Sequence, residues 1–369
     1  MSLDDFKSIY YMEWGHRILG RTIGLTFVLP LGYFALRRRL ARSLRVPLLS
    51  MAGLLGAQGA LGWYMVQSGL EPANFAADGA VPRVSQYRLA AHLGAALVLY
   101  AGMFSAALSV KDDWRFARGD AWGRLADGRT WEEVLRNPLV RRFKVYAALV
   151  TGLVLLTALS GTRKPKIKII AFFANTPCHG FWVLGAFVAG LDAGLVYNEF
   201  PLMGGRLAPP LGELLSPHYA APASSSNGKD GEGSRTGLWR NFFENPTTVQ
   251  FDHRVLATTT YLATALLFAS SRRAAMRAAL PPLALPMATA LFAMANVQVM
   301  LGISTLLYLV PVPLAAAHQA GSVALLTTAL HVLLVLRRPG AAARAWRRAN
   351  LARGARVTPM TGGKPQSNL

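Results

Sequence analysis

MEWGHRILGRTIG (Met12 to Gly24) and VQFDHRVLATTTY (Val249 to Tyr261) set an acidic residue, a His-Arg pair and an apolar run in the same order at two places in one chain. The echo extends beyond these stretches. His16, Gln58 in GAQGALGWYM and His92 in RLAAHLGAAL are matched by His253, Gln298 in NVQVMLGISTL and His318 in PLAAAHQAGS, at offsets of 237, 240 and 226 residues. Similar offsets over three separated motifs point to two tandem helix sets. Each set has a His at the start of one helix, a Gln-x-x-Leu-Gly helix and an Ala-Ala-His helix, and such halves usually pack about a pseudo-two-fold axis.

With 53% hydrophobic and only 15% charged residues in 369, the chain is too apolar for an ordinary soluble domain of this size. The fold class expected is an all-α integral membrane protein of two pseudo-symmetric transmembrane helix bundles. A span needs about 20 mostly apolar residues. Runs of that order stand at 18–36, 47–66, 87–110, 144–160, 253–270, 281–310 and 314–336, with a shorter one at 186–198. The net charge of +21 sits in short clusters between these runs, which predicts topology and a lipid bilayer as partner rather than nucleic acid. Ala35 to Arg45, Lys111 to Lys144, Ser270 to Arg277 and the tail from Arg337 are rich in Lys and Arg; 67–86, 199–251 and 309–313 are not. The positive-inside rule puts the first set on the cytoplasmic or matrix side.

Strict alternation follows if 144–160 and 186–198 form one helix. Gly161 to Gly185, GTRKPKIKIIAFFANTPCHGFWVLG, puts four Lys or Arg residues where alternation requires the outer side, so 162–185 reads as an insertion of the kind a retained intron leaves. The expected organisation is an N-terminal half-bundle (1–143), a C-terminal half-bundle (144–337) and a basic tail (338–369), with a flexible outer loop over 204–240. The single cysteine, Cys178, excludes an internal disulfide and a multi-cysteine metal site. The first dozen residues show neither a signal-peptide core nor an Arg-rich amphipathic stretch.

All four repeated histidines begin helices that run inward from the non-basic side, at similar depth. An ionisable residue inside a span is costly without a partner and marks function by default. Two facing helices with one His each can grip a haem iron from both faces, so His16 with His92, and His253 with His318, are candidate iron ligands. Arg17 and Arg254 could hold haem propionates through charge-assisted hydrogen bonds or act as interfacial anchors. Glu13, one turn before His16, could relay protons or face solvent; Gln250 takes its place in the second half. Gln58 and Gln298 read as interhelical hydrogen-bond partners and His331 as structural, and no role falls to His218, His179 or Cys178.

These residues resemble the heme A synthase family in its mitochondrial form. The resemblance rests on MEWGHRILGRTIG, QGALGWYMVQSGL, SQYRLAAHLG, Ser160-Gly161 continued by AFVAGLDAGLVYNEFPLMG, WRNFFENPTTVQFDHR, NVQVMLGISTLL and AAAHQAGSVALL, in order over nearly the whole chain. It implies an eight-helix inner-membrane enzyme that oxidises the C8 methyl group of heme O to the formyl group of heme A, for cytochrome c oxidase. It places the substrate heme O between His16 and His92 with Glu13 beside it, and a heme b cofactor between His253 and His318. A ferredoxin-type electron donor, heme O synthase and a homo-oligomer are the partners to expect. Against the family pattern the chain lacks a first helix, its glycine-rich loop and a transit peptide, leaving about seven helices. A b-type electron-transfer cytochrome would use the same four histidines without need of Glu13, and a solute transporter would rest on the repeat alone.

Overall fold

A computed structural model describes residues 3–69, 86–122, 125, 128–160, 191–219 and 235–357. Its α-helices, in chain order, are α1 (Leu3–Leu36), α2 (Arg42–Gly69), α3 (Gln86–Arg118), α4 (Trp131–Arg136), α5 (Pro138–Leu159), α6 (Leu211–Leu214), α7 (Asn241–Glu244), α8 (Pro246–Arg272), α9 (Ala274–Ala279), α10 (Ala284–Leu307), α11 (Val312–Val335) and α12 (Ala341–Val357). Six of them, α1, α2, α3, α5, α10 and α11, are long and apolar enough to cross a membrane. The chain is an all-α integral membrane protein.

Local chemistry sets where the helices begin. Asn137 and Asn245 each accept a backbone N–H two residues on, from Leu139 at 2.9 Å and Thr247 at 3.0 Å, and each is followed by a proline at the first helical position. Proline has no N–H to leave unpaired there, and its φ already suits a helix.

The core lies in the C-terminal half. Val140, Phe143, Ala147, Val150 and Val154 make one face of α5 at three- and four-residue spacing, and they pack with Leu291 and Ala295 of α10 and Leu326, Ala329 and Val332 of α11. Leu97 ties α3 to the same cluster. The N-terminal half is looser: α2 packs along α3, while α1 leaves Trp14, Leu19, Leu25 and Leu29 exposed.

α8 is long enough to span yet too polar to qualify by composition. It lies against both α5 and α10, which supply partners for its polar face. Thr260 meets Thr157 at 2.7 Å and the Tyr261 hydroxyl donates to Asn296 Oδ1 at 3.0 Å. Thr258 and Thr264 donate to carbonyls four residues back, each at 2.8 Å. A polar group is tolerated within a membrane when protein surrounds and pairs it.

The basic connections gather at one end, as the positive-inside reading requires. Arg129 donates to the carbonyls of Ala278 and Ala279 at 2.9 and 3.2 Å, joining the α3–α5 connection to that between α8 and α10. The Trp122 indole N–H reaches the Arg337 carbonyl at 3.1 Å, and Arg337 pairs with Asp113 and donates to Ser109 O.

One expectation needs correction. The run 186–198 does not continue as a helix where it is described: residues 191–198 form turns and a 3₁₀ helix, Ala193–Leu195, with Asp192 in the left-handed region at φ 52°. Asn198 explains the departure from the helix axis, because its amide donates to Gly194 O at 2.8 Å and to Leu306 O at 3.0 Å, drawing the chain over the end of α10. Within the expected 204–240 loop, Glu213 and Leu214 meet the start of α8: Asn245 and Thr248 donate to their carbonyls, both at 2.6 Å. The expected insertion at 162–185, with Cys178 and His179, and the linker at 220–234 lie outside the described residues.

At the basic end, Asp113 Oδ1 accepts both the Arg337 guanidinium and the Gly340 N–H, the latter at 2.9 Å, and a Cβ at position 340 would collide with this carboxylate. Gly340→Ala should therefore open the latch of α11 and α12 on α3 at a cost of about 1–3 kcal/mol. Thermal unfolding in detergent should show the lower midpoint, and an unchanged midpoint would contradict the latch.

Candidate functional site

In the N-terminal half His16 of α1 faces His92 of α3, with ring centroids 6.4 Å apart and planes at 69°. Two imidazoles bonded to opposite sides of one metal ion, each through a nitrogen at about 2 Å, place their centroids roughly 6 Å apart. Among the described residues no three His, Cys, Asp or Glu side chains come together to hold a metal ion. A facing His pair therefore suits an ion whose remaining ligands come from elsewhere, as a porphyrin supplies four nitrogens to iron.

The helix between each His pair is built alike. Gln58 of α2 donates to the His92 carbonyl at 2.8 Å, and Gln298 of α10 donates to the His318 carbonyl at 2.9 Å. Four residues on, and so on the same helix face, Gly62 and Gly302 admit the imidazole. An added Cβ would stand 3.1 Å from His92 Cε1 and 2.8 Å from His318 Cε1. In both halves the His Nδ1 and the Gln Oε1 are buried without a hydrogen-bond partner. Gln298 Oε1 lies against Gly321, where an added Cβ would collide with it, so this amide is packed into the α10–α11 contact. Reading the glutamines as interhelical partners is correct; the glycines were missed, although Gln-x-x-Leu-Gly occurs in both halves.

His253 is held differently, with Nδ1 3.0 Å from the Ser160 hydroxyl at the end of α5. It lies within electrostatic range of His318, as His16 does of His92. The four histidines thus fall into two pairs, and the spacing of His16 and His92 fits an iron held between two imidazoles. His331 packs edge-on to Phe104 at 6.2 Å, and exposed His218 packs against Tyr219; neither joins a pair.

The flanking residues diverge. Glu13 and Arg17, one turn apart and half exposed at 48% and 51%, form an ion pair with each other. At the corresponding positions Gln250 and Arg254 both turn to the outer loop. Gln250 donates to Tyr197 O at 3.0 Å, and Arg254 reaches the carbonyls of Tyr197, Glu199 and Leu202 at 3.1, 2.9 and 2.9 Å, with a longer 3.4 Å contact to Pro201 O. Its two terminal nitrogens are committed to the loop; Nε is the one donor left without a partner. The same loop is braced from Tyr197, whose hydroxyl donates to Glu213 at 2.5 Å. That bond, with burial second, holds the phenol above its ordinary pKa.

The family model of COX15-CtaA, described as cytochrome oxidase assembly protein, matches residues 1–180 and 162–330. Heme A synthase COX15 of Homo sapiens is 43% identical over 338 residues, 92% of this chain and 66% of the human protein. The heme A synthase-mitochondrial ferredoxin fusion protein of Schizosaccharomyces pombe is 40% identical over 334 residues, 89% of this chain and 48% of that protein. Heme A synthase of Nitrosospira multiformis is 39% identical over 339 residues, covering 92% of this chain and 74% of its own length. The chain thus spans just under two thirds of the human relative.

The two glycine contacts differ enough to be separated by experiment. Gly302→Ala places its methyl 2.8 Å from His318 and must displace the ring, whereas Gly62→Ala, at 3.1 Å, asks only for a shift of a few tenths of an ångström. The haem that co-purifies with the C-terminal half should fall sharply in Gly302→Ala, with Gly62→Ala leaving it unchanged. Equal retention in both variants would show that the Gly302 contact does not position His318.

Proposed function

The chain belongs to the COX15-CtaA family of cytochrome oxidase assembly proteins, and from that premise we propose that it is a heme A synthase, oxidising the C8 methyl group of heme O to a formyl group. The observation that carries this reading is the His16–His92 pair, spaced at 6.4 Å to take one iron between two imidazoles. The change from methyl to formyl is a four-electron oxidation that adds one oxygen atom. Run as successive hydroxylations with an electron donor as partner, the oxidant is dioxygen, which is reduced to water as each hydroxyl forms, and loss of water from the doubly hydroxylated carbon leaves the formyl group. Heme O is the substrate of the N-terminal pair. His253 and His318 hold a resident heme b, which when bound supplies one-electron redox chemistry.

Glu13 is the residue that distinguishes the two halves. It shares a helix face with His16, and its pairing with Arg17 holds the carboxylate in place to accept a proton released as the methyl C–H bonds are oxidised. Gln250, its counterpart, cannot take up a proton and instead ties the outer loop to α8. Arg17 and the free Nε–H of Arg254 are the donors left for haem propionates. The ferredoxin fused to the Schizosaccharomyces pombe relative supports a ferredoxin-type electron donor. The six apolar helices and the relatives support a multi-pass place in the mitochondrial inner membrane.

Membranes containing the full chain and supplied with heme O should yield heme A on pigment extraction. Recovery of heme B and heme O alone, where the human relative run in parallel yields heme A, would overturn the proposal. His253→Ala and His318→Ala should each abolish the resident b-haem spectrum, whereas Glu13→Ala should keep it and slow conversion by roughly 10²–10⁴-fold. A b-haem retained in both histidine variants would sink the assignment of the resident site.

A further inference from the structure

Ser160 stands just past the last turn of α5, fully buried at 0% exposure, with two neighbours for one hydroxyl. It donates to the Thr157 carbonyl at 2.9 Å and lies 3.0 Å from His253 Nδ1. A hydroxyl has a single proton, and a carbonyl can only accept one. With that proton committed to Thr157 O, Ser160 meets His253 through a lone pair. That arrangement pairs with the Nδ1–H tautomer of His253, which leaves the lone pair on Nε2.

The next contact along the same seam is built alike: Thr157 donates to Leu153 O at 2.8 Å and meets Thr260 at 2.7 Å. His253 and Thr260 are two turns apart on α8, and each meets a hydroxyl that also bonds a carbonyl of α5.

We propose that Ser160 is a positioning residue for the resident haem: it selects Nε2 of His253 as the iron-binding nitrogen, fixes the ring about that axis, and raises its donor strength by accepting the Nδ1–H. The inference rests on the assignment of His253 under the proposed function and adds a reason for the division of labour between the halves. Outer hydrogen bonds to a ligating imidazole strengthen its hold on the metal. A hydrogen bond of this kind at His253 favours retention of the C-terminal haem.

The test uses the purified full chain with its co-purifying haem, compared as wild type, Ser160→Ala, Ser160→Thr and Ser160→Cys. Redox titration gives the haem midpoint potential, and transfer to apomyoglobin gives the release rate. Ser160→Ala should raise the potential, because loss of the acceptor weakens the ligand's stabilisation of the ferric state, and should speed haem loss by roughly 10–100-fold. Ser160→Thr, which keeps the hydroxyl, should restore both. If Ser160→Ala fails to fold, Ser160→Cys, close in volume but a weak acceptor, should shift both in the same direction. Potential and release rate unchanged in a folded Ala or Cys variant would overturn the role of Ser160 while leaving the haem assignment standing. A wild-type chain without a b-haem spectrum would instead remove the assignment of His253, and the inference with it.

Discussion

A side chain able to hydrogen-bond cannot be left alone inside a hydrocarbon layer, and that constraint decides where α8 sits. Thr260, Gln250, His253 and Arg254 make one side of it too polar to face lipid, while Val255, Leu262 and Leu266 stay exposed. The polar side meets α5 and the outer loop, where its groups find partners: Thr157 and Ser160 from α5, and the carbonyls of 197–202 on the loop. The remainder of the C-terminal half follows from accommodating this helix. In lipid the gain comes from close packing and satisfied polar groups rather than from escape from water, which is why α5 offers α8 a seam of hydroxyls beside its buried valines.

The same constraint explains how a duplicated unit can carry two tasks. The part that orients the second histidine is identical in both halves: a glutamine amide on the His carbonyl and a glycine under the ring. Fixing the backbone and the ring face from one helix makes a ligand position that tolerates change elsewhere. Change is concentrated around the first histidine. Glu13 and Arg17 face each other, half exposed, whereas Gln250 and Arg254 are drawn into the outer loop and His253 into the α5 seam. One half has a half-exposed carboxylate beside its first histidine; in the other, the first histidine and its flanking residues are held by α5 and the outer loop.

The opposite end of the bundle is governed by charge. Arg129 and Arg337, from two connections, donate to backbone carbonyls, and Arg337 also pairs with Asp113, so the basic surface demanded by topology helps to clasp α3, α11 and α12 together. Arg347 continues the clasp by donating to the carbonyls of Phe116 and Asp120 at 3.2 and 3.0 Å.

The membrane class and the six long apolar helices were legible in the sequence, because each follows from composition and run length, and the four histidines could be singled out from a motif repeated at near-constant offset. The role of Gln58 and Gln298 as interhelical partners could be inferred in kind, since an amide within a span must bond to something. What they bond to could not, nor could the fate of Arg254, which in sequence mirrors Arg17 and in the fold is taken up by carbonyls more than fifty residues away. Ser160 carried no signal at all. A serine at a helix end has many ordinary uses, and only the packing of α5 against α8 brings it to His253, spends its proton on Thr157, and so decides which nitrogen of the imidazole is free.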